Sequence, residues 1–137
     1  MIDHRLQPLL KPASIAVLGA SQRSGAVGNE AIVNLFRGGF EGAIYPVNPG
    51  YQDVLGLTCY PSLAALSERP EMVIFAIGDH RVEAAIDEVI SLGIPACTIF
   101  SSLLLDDDST PNLKQRIADK AMAAGLLIAG ANGMGFY

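Results

Sequence analysis

Several features that would assign this chain to a non-globular class are absent from its sequence. No run approaches the ~20 consecutive apolar residues that a membrane span requires. The segment Met1–Arg5 lacks a basic stretch followed by an apolar one, so it is not expected to be a secretory signal. Charged residues make up only 17% of the chain and apolar residues 50%, which excludes a disordered polymer. The 137 residues are expected to form one domain, 1–137, with a core over about 10–130.

An excess of basic residues is also missing. Lys and Arg number 9 against 14 Asp and Glu, which gives a formal net charge of −5. A nucleic-acid binder needs a basic face to contact the phosphate backbone, so we expect no nucleic-acid partner. We likewise expect no membrane partner, whereas a small anionic ligand and self-association into a homo-oligomer stay open.

Groups that bind metals or act as nucleophiles are scarce. Cys59 and Cys97 lack C-x-x-C spacing and have apolar neighbours, which favours buried side chains in a reducing cytoplasm. His4 and His80 add too few ligands for a zinc site. We interpret His80 as a loop residue, with a role as a base as the alternative, and Asp106–Asp108 as a solvated acidic loop rather than a cation site. No catalytic residue and no metal ligand are predicted.

Apolar strands and amphipathic helices alternate along the chain. Short apolar runs predict strands at 14–18, 43–47, 72–77, 96–100 and 126–129, with a weaker one at 57–60. Helical spacing predicts helices between them, with Asp79 and Thr110 as N-caps and glycines as stop signals. This alternation predicts a single-domain, doubly wound Rossmann-like α/β fold with a parallel sheet in the order 3-2-1-4-5-6. The helix after strand two is expected to be reduced to a loop.

The loops at the carboxyl ends of the strands are the candidate site, because a ligand lies at this edge in such folds. They span 19–28, 48–51, 77–80, 101–104 and 130–133. The first reads Gly19-Ala20-Ser21-Gln22-Arg23-Ser24-Gly25-Ala26-Val27-Gly28 and opens a helix whose N-terminal amides can hold phosphates. Serine hydroxyls and the Arg23 guanidinium add further donors. The glycine spacing is not G-x-G-x-x-G, and a purely structural turn is the alternative.

The end of strand two is informative because a carboxylate is missing there. NAD-binding domains usually place Asp or Glu at this point, where it binds the ribose 2′-hydroxyl. Here the chain reads Val47-Asn48-Pro49-Gly50-Tyr51, which disfavours NAD and tolerates a ribose or a 3′-phosphate carrying negative charge. Tyr51 is a candidate for contact with adenine, with an exposed loop aromatic as the alternative.

Four motifs carry a family resemblance. They are Ile15-Ala16-Val17-Leu18-Gly19-Ala20-Ser21, Gly25-Ala26-Val27-Gly28, Tyr45-Pro46-Val47-Asn48-Pro49 and Tyr60-Pro61-Ser62-Leu63. Together they resemble the CoA-binding domain of NDP-forming acyl-CoA synthetases, a family similar to the alpha subunit of succinyl-CoA synthetase. The resemblance extends from about Leu10 to Phe136 and implies binding of coenzyme A or an acyl-CoA.

The resemblance implies which residues contact the cofactor. The first loop would hold the CoA phosphates, the Asn-Pro turn would face the nucleotide end, and the loop after strand five would run beside the pantetheine arm. The implied residues are Gly19, Ala20, Ser21, Gln22, Arg23, Gly25, Val27, Asn48, Pro49, Tyr51, Ile77, Gly78, Ser101, Ser102 and Asn132. Two segments depart from the family pattern around the thiol end. Leu103 stands where the family commonly has glycine, and Gly130-Ala131-Asn132-Gly133 replaces a Gly-Pro-Asn motif.

The resemblance also implies further domains. In the family, a domain carrying a phosphorylated histidine follows, and often an ATP-grasp module, so we expect the chain to be a fragment of a larger cytoplasmic acyl-CoA ligase. Alone it should be inactive as a ligase, and it would position the CoA thiol toward an acyl phosphate made elsewhere. Two alternatives stay open, an NAD(P)-binding domain of an oxidoreductase and a stand-alone CoA-sensing module.

Overall fold

The computed structural model describes residues 7–100 and 110–130. The helices are α1 (Gln7–Leu10), α2 (Val27–Arg37), α3 (Asp79–Ser91) and α4 (Leu113–Ala124), with a 3₁₀ turn at Leu63–Ala65. The strands are β1 (Ser14–Leu18), β2 (Ala43–Val47), β3 (Asp53–Val54), β4 (Leu57–Thr58), β5 (Met72–Phe75), β6 (Ala96–Ile99) and β7 (Leu127–Gly130). None of the helices in these ranges is both long enough and apolar enough to span a bilayer.

One parallel sheet organises the described residues. Its order is β2-β1-β5-β6-β7, and β1 is a central strand, with Val17 paired to Pro46 on one side and to Ile74 on the other. Because the strands are parallel, their carboxyl ends lie along one edge, where the loops meet. The predicted Rossmann-like α/β fold is therefore confirmed.

Two apolar layers enclose the sheet. Side chains of successive strand residues point to opposite faces, so Ile15 belongs to the layer that contains Ile32 of α2, while Ala16 belongs to the layer that contains Ile86 of α3 and Ile117 of α4. Ile32, Ile86 and Ile117 are fully buried, and each contributes about 1.5–3 kcal/mol of hydrophobic free energy. Burial on both faces explains why the strands read as continuous apolar runs.

The predicted strand order is wrong at one edge. Residues 57–58 do not add a strand beside β2, because β4 pairs with β3 in a separate antiparallel hairpin. In the described residues, this segment pairs with β2 at one bridge, between Tyr60 and Val47. The Tyr60 N–H donates to Pro46 O, and the Tyr60 carbonyl accepts from Asn48 N, each at 2.9 Å. Pro61 follows and has no N–H to donate, so the pairing ends after one bridge. As expected, no helix lies between β2 and residues 57–58, but this segment contains β3 and is not only a loop.

Two predicted helix caps are displaced along the chain. The N-cap of α3 is Gly78, and Asp79 is its first helical residue. The N-cap of α4 is Asn112, not Thr110, and its side chain accepts a hydrogen bond from Gln115 N at 2.9 Å. Asn is at least as favourable an N-cap as Thr, so residue type alone does not decide which of the two caps α4. The position at which the backbone enters the helix decides it.

Candidate functional site

The first loop is built on close approaches between backbone segments. Gly19 has a φ of +91°, and a Cβ at this position would overlap the Ala76 carbonyl at the end of β5. A Cβ on Gly28 would in turn overlap the Gly19 carbonyl. The start of α2 therefore packs directly on the loop, and the loop on the neighbouring strand end, which only glycine permits.

Polar side chains fix the loop from the β2 side. Asn48 Nδ2 donates to Ala20 O at 2.8 Å, and Asn48 Oδ1 accepts from Gly50 N at 2.8 Å. Gln22 Nε2 donates to Asp53 O at 2.7 Å, which ties the loop to the β3–β4 hairpin. The amides of Asn48 and Gln22, both predicted ligand contacts, thus already hold protein backbone in this structure.

Asn29 is a positioning residue that the sequence reasoning missed. It lies in the first turn of α2, is 5% exposed and donates from Nδ2 to Ser21 O at 3.0 Å. Ser21 Oγ accepts from Arg23 N at 3.0 Å, which tightens the same turn. The available signal was an asparagine on the otherwise apolar inner side of the helix that follows the loop.

Two helix N-termini open at this edge without a side-chain cap. The N-cap residues are Ala26 for α2 and Gly78 for α3, and neither has a hydrogen-bonding side chain. Ala26 O accepts from the N–H of the third and fourth residues that follow it, whereas no partner in the described ranges accepts from the N–H of Val27 or Gly28. These amides and the positive ends of the helix dipoles favour an anion.

A first groove of about 460 Å³ lies where these helix ends meet. It is lined by Gly19, Ser21, Arg23, Ala26, Val27, Gly28, Phe75, Ala76, Ile77, Gly78 and Phe100. One wall therefore offers backbone amides and the exposed Arg23, and the other offers apolar surface. Val27 and Phe100 are each 55% exposed, so apolar side chains remain open at the rim of the groove.

Further space opens on the other side of Gly19. A second groove of about 260 Å³ is lined by Leu18, Gly19, Val47, Asn48, Pro49, Pro61, Ser62, Arg81 and Glu88. A third, of about 400 Å³, shares Leu18, Arg81 and Glu88 with it and adds His80 and Ala84. Arg81 and Glu88 were not among the predicted residues. The sequence feature that could have identified them is the helical spacing 81, 84, 85, 88, which places these residues along one side of α3.

The remaining predicted residues have four different placements. Ala20 is buried, and Gly25 lies at the exposed tip of the loop with a φ of +89°. Tyr51 is half-buried against the apolar layer on the α2 side. Ser101, Ser102 and Asn132 lie outside the described residues, as do Leu103, Asp106–Asp108 and most of the loop 130–133.

The cysteines are unpaired and buried, as the sequence indicated. Cys59 Sγ lies 3.6 Å from Asn48 O, beneath the Asn-Pro turn, and burial raises the pKa of its thiol. Burial alone raises the pKa of the Cys97 thiol far more strongly. Both thiols therefore stay protonated at neutral pH and act as small apolar side chains. Within residues 7–100 and 110–130, no group of three His, Cys, Asp or Glu side chains is arranged to hold a metal ion.

Comparison with known proteins agrees with this architecture. The chain is 34% identical over 131 residues to ADP-forming acetate–CoA ligase II of Archaeoglobus fulgidus, which covers 95% of this chain and 20% of that protein. The apo dinucleotide-forming acetyl-coenzyme A synthetase 1 of Candidatus Korarchaeum cryptofilum superposes with a TM-score of 0.83 at 27% identity, over 93% of this chain and 28% of that one. A hypothetical protein from Pyrococcus horikoshii OT3 superposes with a TM-score of 0.72 at 26% identity, over 92% of this chain and 81% of that one.

The chain spans about a fifth of the length of the curated relatives it matches. A family model described as a CoA-binding domain matches residues 13–137, which includes the glycine loop, the Asn-Pro turn and all strands of the parallel sheet. The chain therefore belongs to the CoA-binding domain family.

Proposed function

We propose that this chain binds coenzyme A or an acyl-CoA as the CoA-binding domain of an NDP-forming acyl-CoA ligase. The observation that carries the proposal is the first groove. Two helix N-termini without side-chain caps converge there with the glycine loop and Arg23, opposite apolar surface. CoA has the matching chemistry, because phosphates lie at one end and a long, largely uncharged pantetheine arm ends in the thiol.

The groove suggests how such a ligand would lie. The free amides of Val27 and Gly28 and the guanidinium of Arg23 would hold the diphosphate. The arm would continue past Ile77 and Gly78 toward Phe100, and Ser101, Ser102 and Asn132 would follow it toward the thiol. Holding the thiol in one orientation would raise its effective concentration toward an acyl phosphate, which is the contribution of this domain to ligation.

The residues after β2 support CoA over a nicotinamide dinucleotide. Asn48 occupies the place of the ribose-binding carboxylate, and both ends of its amide hold loop backbone. A carboxylate at position 48 could not donate the hydrogen bond that Ala20 O accepts from Asn48 Nδ2. The position therefore presents no negative charge to a phosphorylated ribose.

The whole ligase requires chemistry beyond this domain. We propose that domains with a phosphorylated histidine and an ATP-grasp fold follow in the same polypeptide, as the similarity to a fifth of the longer ligases suggests. We also propose a cytoplasmic location, since both cysteines are unpaired. Self-association stays a prediction.

A stand-alone CoA-sensing module is the second candidate. It is favoured by the similarity to the hypothetical protein from Pyrococcus horikoshii OT3, because this chain covers 81% of that one. Both candidates require CoA binding, and they differ in whether further domains continue the polypeptide beyond residue 137. The length of the natural open reading frame distinguishes them.

Isothermal titration of the purified chain with CoA, dephospho-CoA, NAD and ADP tests the proposal. We expect CoA to bind more tightly than NAD. Tighter binding of NAD would favour the oxidoreductase alternative, and the absence of CoA binding would refute both CoA-dependent candidates.

A further inference from the structure

Arg81 is a cation at the site to which the sequence motifs assign no role. It is the third residue of α3, and its N–H donates to Gly78 O at 2.9 Å, which fixes the first turn of the helix. The side chain is exposed and borders both the second and the third groove. It is therefore available to a ligand that lies against the end of β2.

The guanidinium of Arg81 has no ion-pair partner in the described parts of the chain. Other cations of the same layer do have such partners, since Arg116 and Lys120 bind Glu83 at 3.1 Å each. Glu88 lines the same two grooves as Arg81, two helical turns further along, and no ion pair joins them. The lining of the second groove thus includes one arginine without an ion-pair partner in the described residues and one carboxylate further along α3.

Gly19 lines both the first and the second groove, so the two grooves adjoin at this residue. Arg23 lies on the first groove and Arg81 on the second. A ligand that crosses Gly19 therefore meets one arginine on each side. This arrangement suits a ligand with two separate anionic groups better than one with a single phosphate cluster.

We propose that Arg81 binds the 3′-phosphate of CoA and is the residue that selects CoA over dephospho-CoA. This assignment rests on the proposed function. With the diphosphate at the first loop, the adenosine end extends across Gly19 toward Asn48 and Pro49, where the 3′-phosphate comes within reach of Arg81. Glu88 repels the same phosphate and thereby limits the affinity.

Titration of CoA and dephospho-CoA into matched variants tests this assignment. Arg81→Ala removes a charge-assisted hydrogen bond to the phosphate, and we expect this loss to weaken CoA binding about tenfold. Dephospho-CoA binding should change little, so the wild-type preference for CoA should disappear. Arg81→Lys should retain part of the preference. Arg37→Ala, which removes an exposed arginine from the last turn of α2, should affect neither ligand.

A second variant tests the charge balance in the opposite direction. Glu88→Gln removes the competing carboxylate and should strengthen CoA binding more than dephospho-CoA binding. Loss of CoA affinity in this variant would count against the assignment. An undiminished preference for CoA in Arg81→Ala would also contradict it, as would equal losses of affinity for CoA and dephospho-CoA. In either case, CoA binding by the wild-type chain would still support the proposed function. A wild-type chain that binds no CoA would overturn the proposed function as well.

Discussion

Among the residues of the first loop, Gly19 has the most constrained position. Its φ is +91°, and an added Cβ would overlap the Ala76 carbonyl. Gly19→Ala should destabilise the fold by about 3 kcal/mol, the sum of a left-handed backbone cost and a steric clash. Gly25→Ala is the matched control, because Gly25 has a φ of +89° but no atom within 4 Å of the added Cβ. It should cost only about 1 kcal/mol.

Urea denaturation of the two glycine variants gives the comparison directly. If both lose the same stability, the close approach to Ala76 is not the constraint on Gly19, and the conformational cost alone would explain the glycine. If Gly19→Ala is more destabilised, the contact between the loop and the end of β5 is part of the fold.

Arg23 is expected to contribute to ligand affinity and not to the stability of the fold. It is exposed on the first groove. Arg23→Ala should weaken CoA binding about tenfold, since a guanidinium neutralises a phosphate in a way that backbone amides cannot. The loss should shrink at high salt because an exposed charge is screened. Unfolding free energy should hardly change.

Pantetheine is the control ligand for Arg23, because it lacks the nucleotide phosphates. Its binding should be nearly insensitive to Arg23→Ala in the same titration. Equal losses for CoA and pantetheine would show that Arg23 shapes the loop and contacts no phosphate.

At the scale of elements, the sequence predicts the strands well where both faces are buried. The apolar run at 15–18 is short and is followed by Gly19, which favours a buried strand over a helix, and β1 spans Ser14–Leu18. The weak run at 57–60 is different, because an edge strand depends on partners far away in sequence. Whether Thr58 pairs with β2 or folds back on Asp53 is decided by the hairpin turn, where Leu55 has a φ of 50° and Gly56 a φ of 82°.

The residues of the candidate site likewise differ in whether the sequence alone could predict them. The glycine loop could be found from its position after the first strand, because glycine marks a local backbone requirement. Arg81 could not be found in this way. Its place on the second groove depends on how α3 packs beside the end of β2, which is a long-range consequence of sheet order. Asn29 was missed for a similar reason, since its burial follows from the contact of α2 with the loop.

The packing of α3 against α4 includes an ionic layer whose contribution depends on pH. Glu83 accepts from Arg116 Nε at 3.1 Å and lies 3.1 Å from Lys120 Nζ. The hydrogen bond from Arg116 is the main cause that lowers the pKa of Glu83 below its ordinary value of 4.5. A lowered folded-state pKa stabilises the fold above pH 4.5, and this stabilisation is lost as the pH falls through the folded value.

Glu83→Gln should therefore reduce stability at pH 7 by less than about 1 kcal/mol, since the pair is partly exposed. The difference from wild type should vanish in acid, below the folded pKa of Glu83. Urea denaturation across a pH series measures this, with the exposed Glu41→Gln as the control. A deficit that persists unchanged in acid would mean that packing, and not charge, accounts for it.

At the scale of the whole molecule, the parallel sheet separates stability from binding. The apolar layers occupy the two faces, whereas the three grooves open at or beside the carboxyl ends of β1, β2 and β5. Loop and first-turn residues at this edge can therefore change ligand preference with little effect on the core. Exceptions include Gly19 and Gly28, where the loop backbone packs directly on its neighbours, and the buried Asn29, which donates to Ser21 O.

The two histidines of the chain lead to a prediction about activity. The chain has two histidines, His4 and His80, and His80 lies exposed in the first turn of α3, beside the third groove. It is not in a glycine-rich loop of the kind that the family resemblance implies for a phosphorylated histidine. The pure chain should therefore form no acetyl-CoA from acetate, ATP and CoA, although it should bind CoA under the same conditions. A chromatographic assay for acetyl-CoA, with a complete ADP-forming acetate–CoA ligase as the positive control, measures this. Turnover above the protein-free background that survives His80→Gln would place an activating group elsewhere in the chain, and turnover abolished by that substitution would identify His80 as the group.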